Sequence, residues 1–262
     1  MEQRLLWLPL LVSGCCFGGG VPAAPATPAV PVVAPAAPVA PIAEGSVVLA
    51  NYHDLGRYYV GVVTAVNGGQ LSILYADGDA EVLAPSSVMP DRLVGGIPGE
   101  AFDGTAFTPV TIGRRVGHAL GIVHPDGRRQ WVSIARVRVS ADALPAVAPP
   151  AQPLLAAPFG DVGSIVLARY TGDGHWYEAV VGELVQGELR RVIYADGSGE
   201  DLPMTALRPG GITVGARVDS RAHRAPTGEP GTVLRRVEHG VEVQLDSGTR
   251  RWSGLGNVRI AP

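Results

Sequence analysis

The stretch ILYADGDAEVL, residues 73–83, and its near-copy VIYADGSGEDL, residues 192–202, decide how this chain is read. In both, an alternating apolar run leads into Tyr-Ala-Asp-Gly and out again through a second extended run. Apolar residues on a two-residue period mark a half-buried strand, and Asp-Gly supplies the positive φ that a tight hairpin bend demands. The phrase therefore reads as strand, turn, strand, and its recurrence marks a duplication.

Working outward, the match extends across the whole globular part. GSVVLANY from Gly45 matches GSIVLARY from Gly163, and RYYVGVV from Arg57 matches HWYEAVV from His175. Further on, DGRRQWVSIARVRV from Asp126 matches SGTRRWSGLGNVRI from Ser247, with Trp131 opposite Trp252 and Arg138 opposite Arg259. Each half thus holds two strand-rich modules. Bends are expected at Asn67-Gly68 and Asp77-Gly78, as type I′ turns, and at Gln186-Gly187 and Asp196-Gly197 in the second copy. No amphipathic helix is expected after the N-terminal tract, so the fold class is all-β: duplicated pairs of small antiparallel barrels. A module of about fifty residues buries too little surface to be comfortable alone, which favours packing in pairs.

Charge supports pairing. Residues 45–93 carry two arginines against five acids and 163–210 four against seven, whereas 96–140 carry six against three and 211–260 eight against five. Acidic modules therefore alternate with basic ones, and such complementarity steers register. The chain has no lysine, and its net charge is only -3.

The N-terminal segment, residues 1–44, differs in kind. Arg4, the apolar run Leu5 to Val12 and the small residues Ser13-Gly14 have the layout of a signal segment too short to span a bilayer. LVSGC, ending at Cys15, resembles the lipobox of bacterial lipoproteins, which implies cleavage after residue 14 and lipidation of Cys15. Glu2 and the adjacent Cys16 depart from the usual pattern. Residues 21–43 carry proline at 22, 25, 28 and 31, then 35, 38 and 41, which fits a polyproline II stalk reaching roughly 70 Å. The expected organisation is signal peptide 1–14, lipidated Cys and Pro/Ala linker 15–44, barrel 45–95, barrel 96–140, Pro/Ala linker 141–162, barrel 163–210 and barrel 211–262. The lipobox implies a membrane-anchored envelope lipoprotein, on the outer membrane or facing the periplasm.

The first module of each half resembles a Tudor or Agenet domain, an SH3-like barrel. The likeness rests on VVLANY, YYVGVV and ILYADGDAEVL, then on IVLARY, WYEAVV and VIYADGSGEDLPMTALRP. Tudor domains that read methylated side chains build an aromatic cage from three strand ends. The matching residues here are Tyr52, Tyr59 and Tyr75, with Asp77 as a nearby carboxylate, then Tyr170, Tyr177 and Tyr194, with Asp196; Trp176 adjoins the second set. The cage pattern often has a further aromatic after the third strand, where this chain has Gly78 and Gly197.

Other chemistry finds no footing. The six histidines fall mostly in expected turns and read as surface residues, no catalytic triad, metal or phosphate-loop pattern occurs, and Asp54 and Asp173 read as solvated loop acids. No enzyme activity, cofactor, metal or small-molecule substrate is expected. Arg114, Arg115, Arg128, Arg129, Arg235, Arg236, Arg250 and Arg251, with Trp131 and Trp252, could form a basic stripe, but the equally acidic neighbours argue against nucleic acid. The function expected is a non-catalytic protein-interaction scaffold. The alternatives are a module binding cell wall or anionic polymer, and a spacer without ligand.

Overall fold

The computed structural model describes residues 41–146 and 157–260. The proposed signal, Cys15, nearly all of the proline stalk and the middle of the second Pro/Ala linker lie outside them. Four five-stranded antiparallel sheets account for the described chain. Sheet one comprises β1 (Val47–Asn51), β2 (Tyr58–Asn67), β3 (Gln70–Tyr75), β4 (Ala80–Leu83) and β5 (Val88–Pro90). Sheet two comprises β6 (Pro98–Phe102), β7 (Phe107–Val116), β8 (Ala119–Val123), β9 (Arg129–Ser133) and β10 (Val137–Arg138). The second half repeats this: β11 (Ile165–Arg169), β12 (Trp176–Leu184), β13 (Leu189–Tyr194), β14 (Gly199–Pro203) and β15 (Leu207–Pro209) form sheet three. Sheet four is β16 (Arg217–Arg221), β17 (Gly228–Val237), β18 (Gly240–Leu245), β19 (Arg250–Gly254) and β20 (Val258–Arg259).

Every sheet has one plan. The long second strand pairs with the first strand through its first half and with the third through its second half, and the short fifth strand returns to the first. In all four, the register of the long strand shifts in its middle, at Val63/Ala65, Ile112/Arg115, Val181/Glu183 and Val233/Arg235. A bulge there bends the strand so that it serves two directions. A three-residue 3-10 turn precedes each fifth strand, at Pro85–Ser87, Ile134–Arg136, Met204–Ala206 and Leu255–Asn257. No α-helix occurs among the described residues, and no helix there is long and apolar enough to cross a membrane.

The bends differ in detail from the expected ones. Asn67 pairs with Gln70, so the two-residue hairpin turn is Gly68-Gly69, at φ +56° and +82°, one residue beyond Asn67-Gly68. Its counterpart is likewise shifted, with positive φ at Gly187 and Glu188. At Asp77-Gly78 only Gly78 is left-handed, so the bend is a wider loop rather than type I′. Gly78 N–H donates to Tyr75 O at 3.0 Å, Tyr75 N–H to Asp79 O at 2.8 Å, and Asp77 Oδ1 accepts from Asp79 N–H at 3.0 Å. The Asp196-Gly197 bend repeats all three contacts.

Within each half the sheets are stitched by backbone. Tyr58 and Val139 exchange hydrogen bonds of 2.9 and 3.1 Å between sheets one and two, and Trp176 and Ile260 exchange bonds of 3.0 and 2.9 Å between three and four. The apolar interior of sheet two continues into sheet one through Leu49, Val60 and Ala76. Between halves, sheet two meets sheet three and sheet four meets sheet one, which closes a ring. Strand β2 shows why its sequence is a nearly unbroken apolar run: Val63 packs in its own sheet, Val60 toward sheet two, and Val62 lies beside Gly240 of sheet four. Burying each such side chain contributes about 1.5–3 kcal/mol.

The seams between halves use two residues that the sequence placed at the surface. His118 and His239 are fully buried at equivalent positions. His118 Nε2 lies 3.0 Å from Ile193 O, and His239 Nε2 lies 3.2 Å from Leu74 O. Each ring thus reaches the residue preceding Tyr-Ala-Asp-Gly in the other half. The phrase itself fills the rest of the seam: a side chain at Gly78 would meet Asn257 Nδ2 at 2.3 Å, and one at Gly197 would meet Arg136 Nε at 2.3 Å. The correction has a physical cause. A histidine flanked by apolar strand residues can serve as a compact buried donor when a backbone carbonyl faces it.

Cross-sheet ion pairs follow the alternating charge. Arg115 of sheet two binds Asp91 at 2.5 Å, and Arg236 of sheet four grips the fully buried Glu178 of sheet three with two bonds of 2.5 Å. Burial alone would raise the Glu178 carboxyl, but the His118 ring 3.8 Å away and the paired Arg236 guanidinium hold it below the ordinary range.

Candidate functional site

In each half, one tyrosine follows the first strand, one lies near the start of the long strand and one ends the third strand. The shared strand plan brings these positions to one end of the sheet. Tyr52 and Tyr59 have ring centroids 5.7 Å apart at 68°, Tyr52 and Tyr75 5.3 Å at 83°, and Tyr59 and Tyr75 6.4 Å at 81°. In the second half the separations are 5.9 Å for Tyr170/Tyr177, 5.8 Å for Tyr170/Tyr194 and 6.2 Å for Tyr177/Tyr194, all crossing at 81–88°. Rings crossing near right angles form the walls of a box corner. The three rings of each corner lie within the roughly 6 Å over which a ring attracts a cation. Edge-to-face contact also steadies the corner, by about 0.5–1.5 kcal/mol per pair.

Both corners open into cavities. The first, about 270 Å³, is lined by all three tyrosines and Asp77, and also by Phe102, Phe107 and Arg136 of sheet two. Tyr59 and Phe107 are 6.5 Å apart, and Phe102 and Phe107 5.2 Å. The aromatic wall missing from sheet one after its third strand is therefore supplied by its neighbour. Arg138 lies 3.7 Å above the Phe107 ring and is paired with Glu100 at 2.8 Å, so this cation belongs to the wall. The Tyr75 hydroxyl donates to Glu81, whose other oxygen lies 3.6 Å from His53 Nδ1.

The second cavity, about 240 Å³, is lined by Tyr170, Tyr177, Tyr194, Asp196, Asp173, Glu178, Ser198 and, from sheet four, Arg221 and Gly256. Asp173 accepts from the Tyr177 hydroxyl and from Arg259, both at 2.8 Å. Partial desolvation would raise this carboxyl, but bonds from His175 N–H, Tyr177 and Arg259 outweigh that and hold it below its ordinary value. Asp173 is thus built into the site, not left as a free loop acid.

The structure brings together Tyr52, Tyr59, Tyr75 and Asp77 in one cavity and Tyr170, Tyr177, Tyr194 and Asp196 in the other. Trp176 is the exception. It precedes Tyr177 on β12 and so points to the opposite face, where it is buried beneath Arg208 at 3.8 Å and does not line the cavity. Phe102, Phe107, Arg136 and Arg221 were not foreseen, because each reaches its site from the neighbouring sheet. The basic stripe is largely spent internally. Arg115 and Arg236 are paired across sheets within their own halves, Arg114 lies 5.7 Å from the Trp131 ring, and Arg235 lies 4.7 Å from that of Trp252. Among the described residues no group of three or more His, Cys, Asp or Glu side chains could hold a metal ion.

Fold and site together define an all-β repeat protein with two aromatic sockets at matched positions. No family model and no curated protein matches the chain. Among solved structures, the chain is similar to the four MBT repeats of Drosophila melanogaster Sfmbt, in complex with the peptide RHR(me)KVLR. The identity is 9%, the match covers 82% of this chain and 87% of that one, and the TM-score is 0.19.

Proposed function

We propose that the chain is a non-catalytic interaction protein built from four SH3-like barrels of the Tudor type, and that its first socket captures a cationic side chain of a protein partner. The observation that carries this reading is the box of Tyr52, Tyr59 and Tyr75, closed by Phe102 and Phe107, with Asp77 at its wall. Ring faces attract a cation by about 0.5–2 kcal/mol each, and most where water is excluded. The aromatic lining favours an alkylated cation, because its hydration is cheap to remove. In this reading the stalk and Cys15 hold the module at the cell-envelope membrane, so the partner is an exported protein.

Titrating the full chain with tetramethylammonium, followed by NMR, tests the socket. Saturable shifts at Tyr52, Tyr59 and Tyr75, lost in Tyr52→Leu, are expected at millimolar affinity. The absence of any response at these residues would overturn the reading. The anchor is tested separately: Cys15→Ser should move the protein from the membrane fraction to the soluble one, and unchanged retention would refute lipidation.

A further inference from the structure

The second socket repeats the backbone of the first but not its chemistry. Glu200 stands where Glu81 stands in the first half, yet it accepts from the N–H and hydroxyl of Thr171, at 3.3 and 2.9 Å, rather than from the tyrosine. Thr171 occupies the position of His53. The Tyr194 hydroxyl is consequently left buried with no hydrogen-bond partner, in a residue only 4% exposed. Burial raises its pKa, so it keeps its proton and remains a donor. Arg221 stands where the first half has Phe102, and its Nε is likewise buried and unpartnered.

The acids that line this cavity do not satisfy those donors. Asp173 is engaged by Tyr177 and Arg259, and Glu178 by Arg236 and the Ile212 N–H at 2.8 Å. Asp196 Oδ1 accepts from the N–H and hydroxyl of Ser198, at 2.9 and 2.7 Å. Two unmatched donors, one of them cationic, therefore line a cavity of about 240 Å³ that also presents the rings of Tyr170 and Tyr177, beside acids that are already engaged. A buried donor without an acceptor costs roughly 1–3 kcal/mol, which an arriving acceptor recovers.

We propose that the second socket is a carboxylate-binding site, in which the ligand's carboxylate accepts from the Tyr194 hydroxyl and the Arg221 guanidinium while its organic body lies against Tyr170 and Tyr177. A planar guanidinium fork suits a carboxylate. Asp173 and Glu178 are paired with Arg259 and Arg236, which leaves Asp196 to oppose an anion, and it opposes a dianion such as a phosphate monoester more than a single negative charge balanced by Arg221. The free C-terminus or an acidic side chain of a peptide has this chemistry. The two sockets then take groups of opposite sign.

The test is NMR titration of the full chain with N-acetylalanine and, separately, with its uncharged amide. The carboxylate should shift Tyr194 and Arg221 saturably and the amide should not. Tyr194→Phe, which removes one oxygen, should weaken binding roughly tenfold, and Arg221→Phe, which copies the first socket, should abolish it. Folding of both variants is read from an unchanged spectrum at Tyr52, Tyr59 and Tyr75. The proposal is overturned by no response, by an equal response to the amide, or by unaltered affinity in Tyr194→Phe; any of these means that ordered water satisfies the donors. The tetramethylammonium response of the first socket is a separate readout, so failure of one reading leaves the other standing.

Discussion

The two halves share strand plan, bends and tyrosine corners, yet they differ where the sheets meet. Val60 in the first half is Glu178 in the second, Leu55 is Asp173, and Phe102 is Arg221. Both halves join their sheets across an apolar face, through Leu49 and Ala76 in the first and Leu167 and Ala195 in the second, but where the first adds Val60 the second adds the buried pair of Glu178 with Arg236, and Asp173 with Arg259. The equivalent arginine in the first half, Arg115, finds its carboxylate in the loop residue Asp91 instead. At the Val60/Glu178 position one scaffold has thus used an apolar side chain in one half and a paired charge in the other. The difference matters because a buried ion pair is robust only while both members are present.

Glu178→Val is the severest way to probe that difference, since it copies the first half at a single position. It leaves Arg236 without its carboxylate and should cost about 3–5 kcal/mol. Adding Arg236→Met to it should recover most of the loss, because an apolar pair of similar volume replaces the ionic one. Urea unfolding midpoints of the two variants measure both effects. If Glu178→Val proves as stable as the parent chain, the ionic seam contributes nothing.

Strands, the duplication and the tyrosine corners were legible because their signals are local: alternation, Asp-Gly, and aromatics at fixed offsets from strand ends. The cross-sheet walls were not. Phe102 and Phe107 lie on β6 and β7 and complete a cavity begun on β1 to β3, and no pattern within one module points across that gap. The buried histidines did leave a trace: RVGH and RVEH recur at the same place in both halves, each ahead of an apolar strand. Counting them as turn residues overlooked that a tight hairpin can itself be buried when another sheet covers it. Trp176 failed for a simpler reason, since strand parity sets its indole opposite to Tyr177.

The two seam histidines sharpen the comparison through pH. Neither ring's Nδ1 has a hydrogen-bond partner, but His118 Nδ1 has the Glu178 carboxylate 3.8 Å away. Burial first, then the charges of Arg115 and His118, push His239 down to about 3, against the bond from its ring to Leu74 O. The folded state therefore binds fewer protons than the unfolded chain below the ordinary histidine value. The contribution of His239 is fully present above about pH 6.5 and declines by roughly 1.4 kcal/mol per pH unit as the solution is acidified toward 3. His239→Gln, which keeps an amide donor for Leu74 but takes up no proton, should flatten the loss of stability between pH 6.5 and 5. An unchanged slope would mean that His239 is protonated in the folded protein.

The finest contrast is a single oxygen in each socket. Tyr75 and Tyr194 are both 4% exposed and end equivalent strands, but the Tyr75 hydroxyl donates to Glu81 while that of Tyr194 has no partner. Tyr75→Phe deletes a hydrogen bond to a charged acceptor and leaves Glu81 to His53 alone, so it should destabilise by about 1.5–3 kcal/mol. Tyr194→Phe removes a buried donor that is already unsatisfied, so in ligand-free protein it should be neutral or stabilising by up to about 1 kcal/mol. Thermal unfolding of the two variants side by side measures the difference. Equal losses would show that the Tyr194 hydroxyl has an acceptor, and with it the chemical asymmetry between the sockets would disappear.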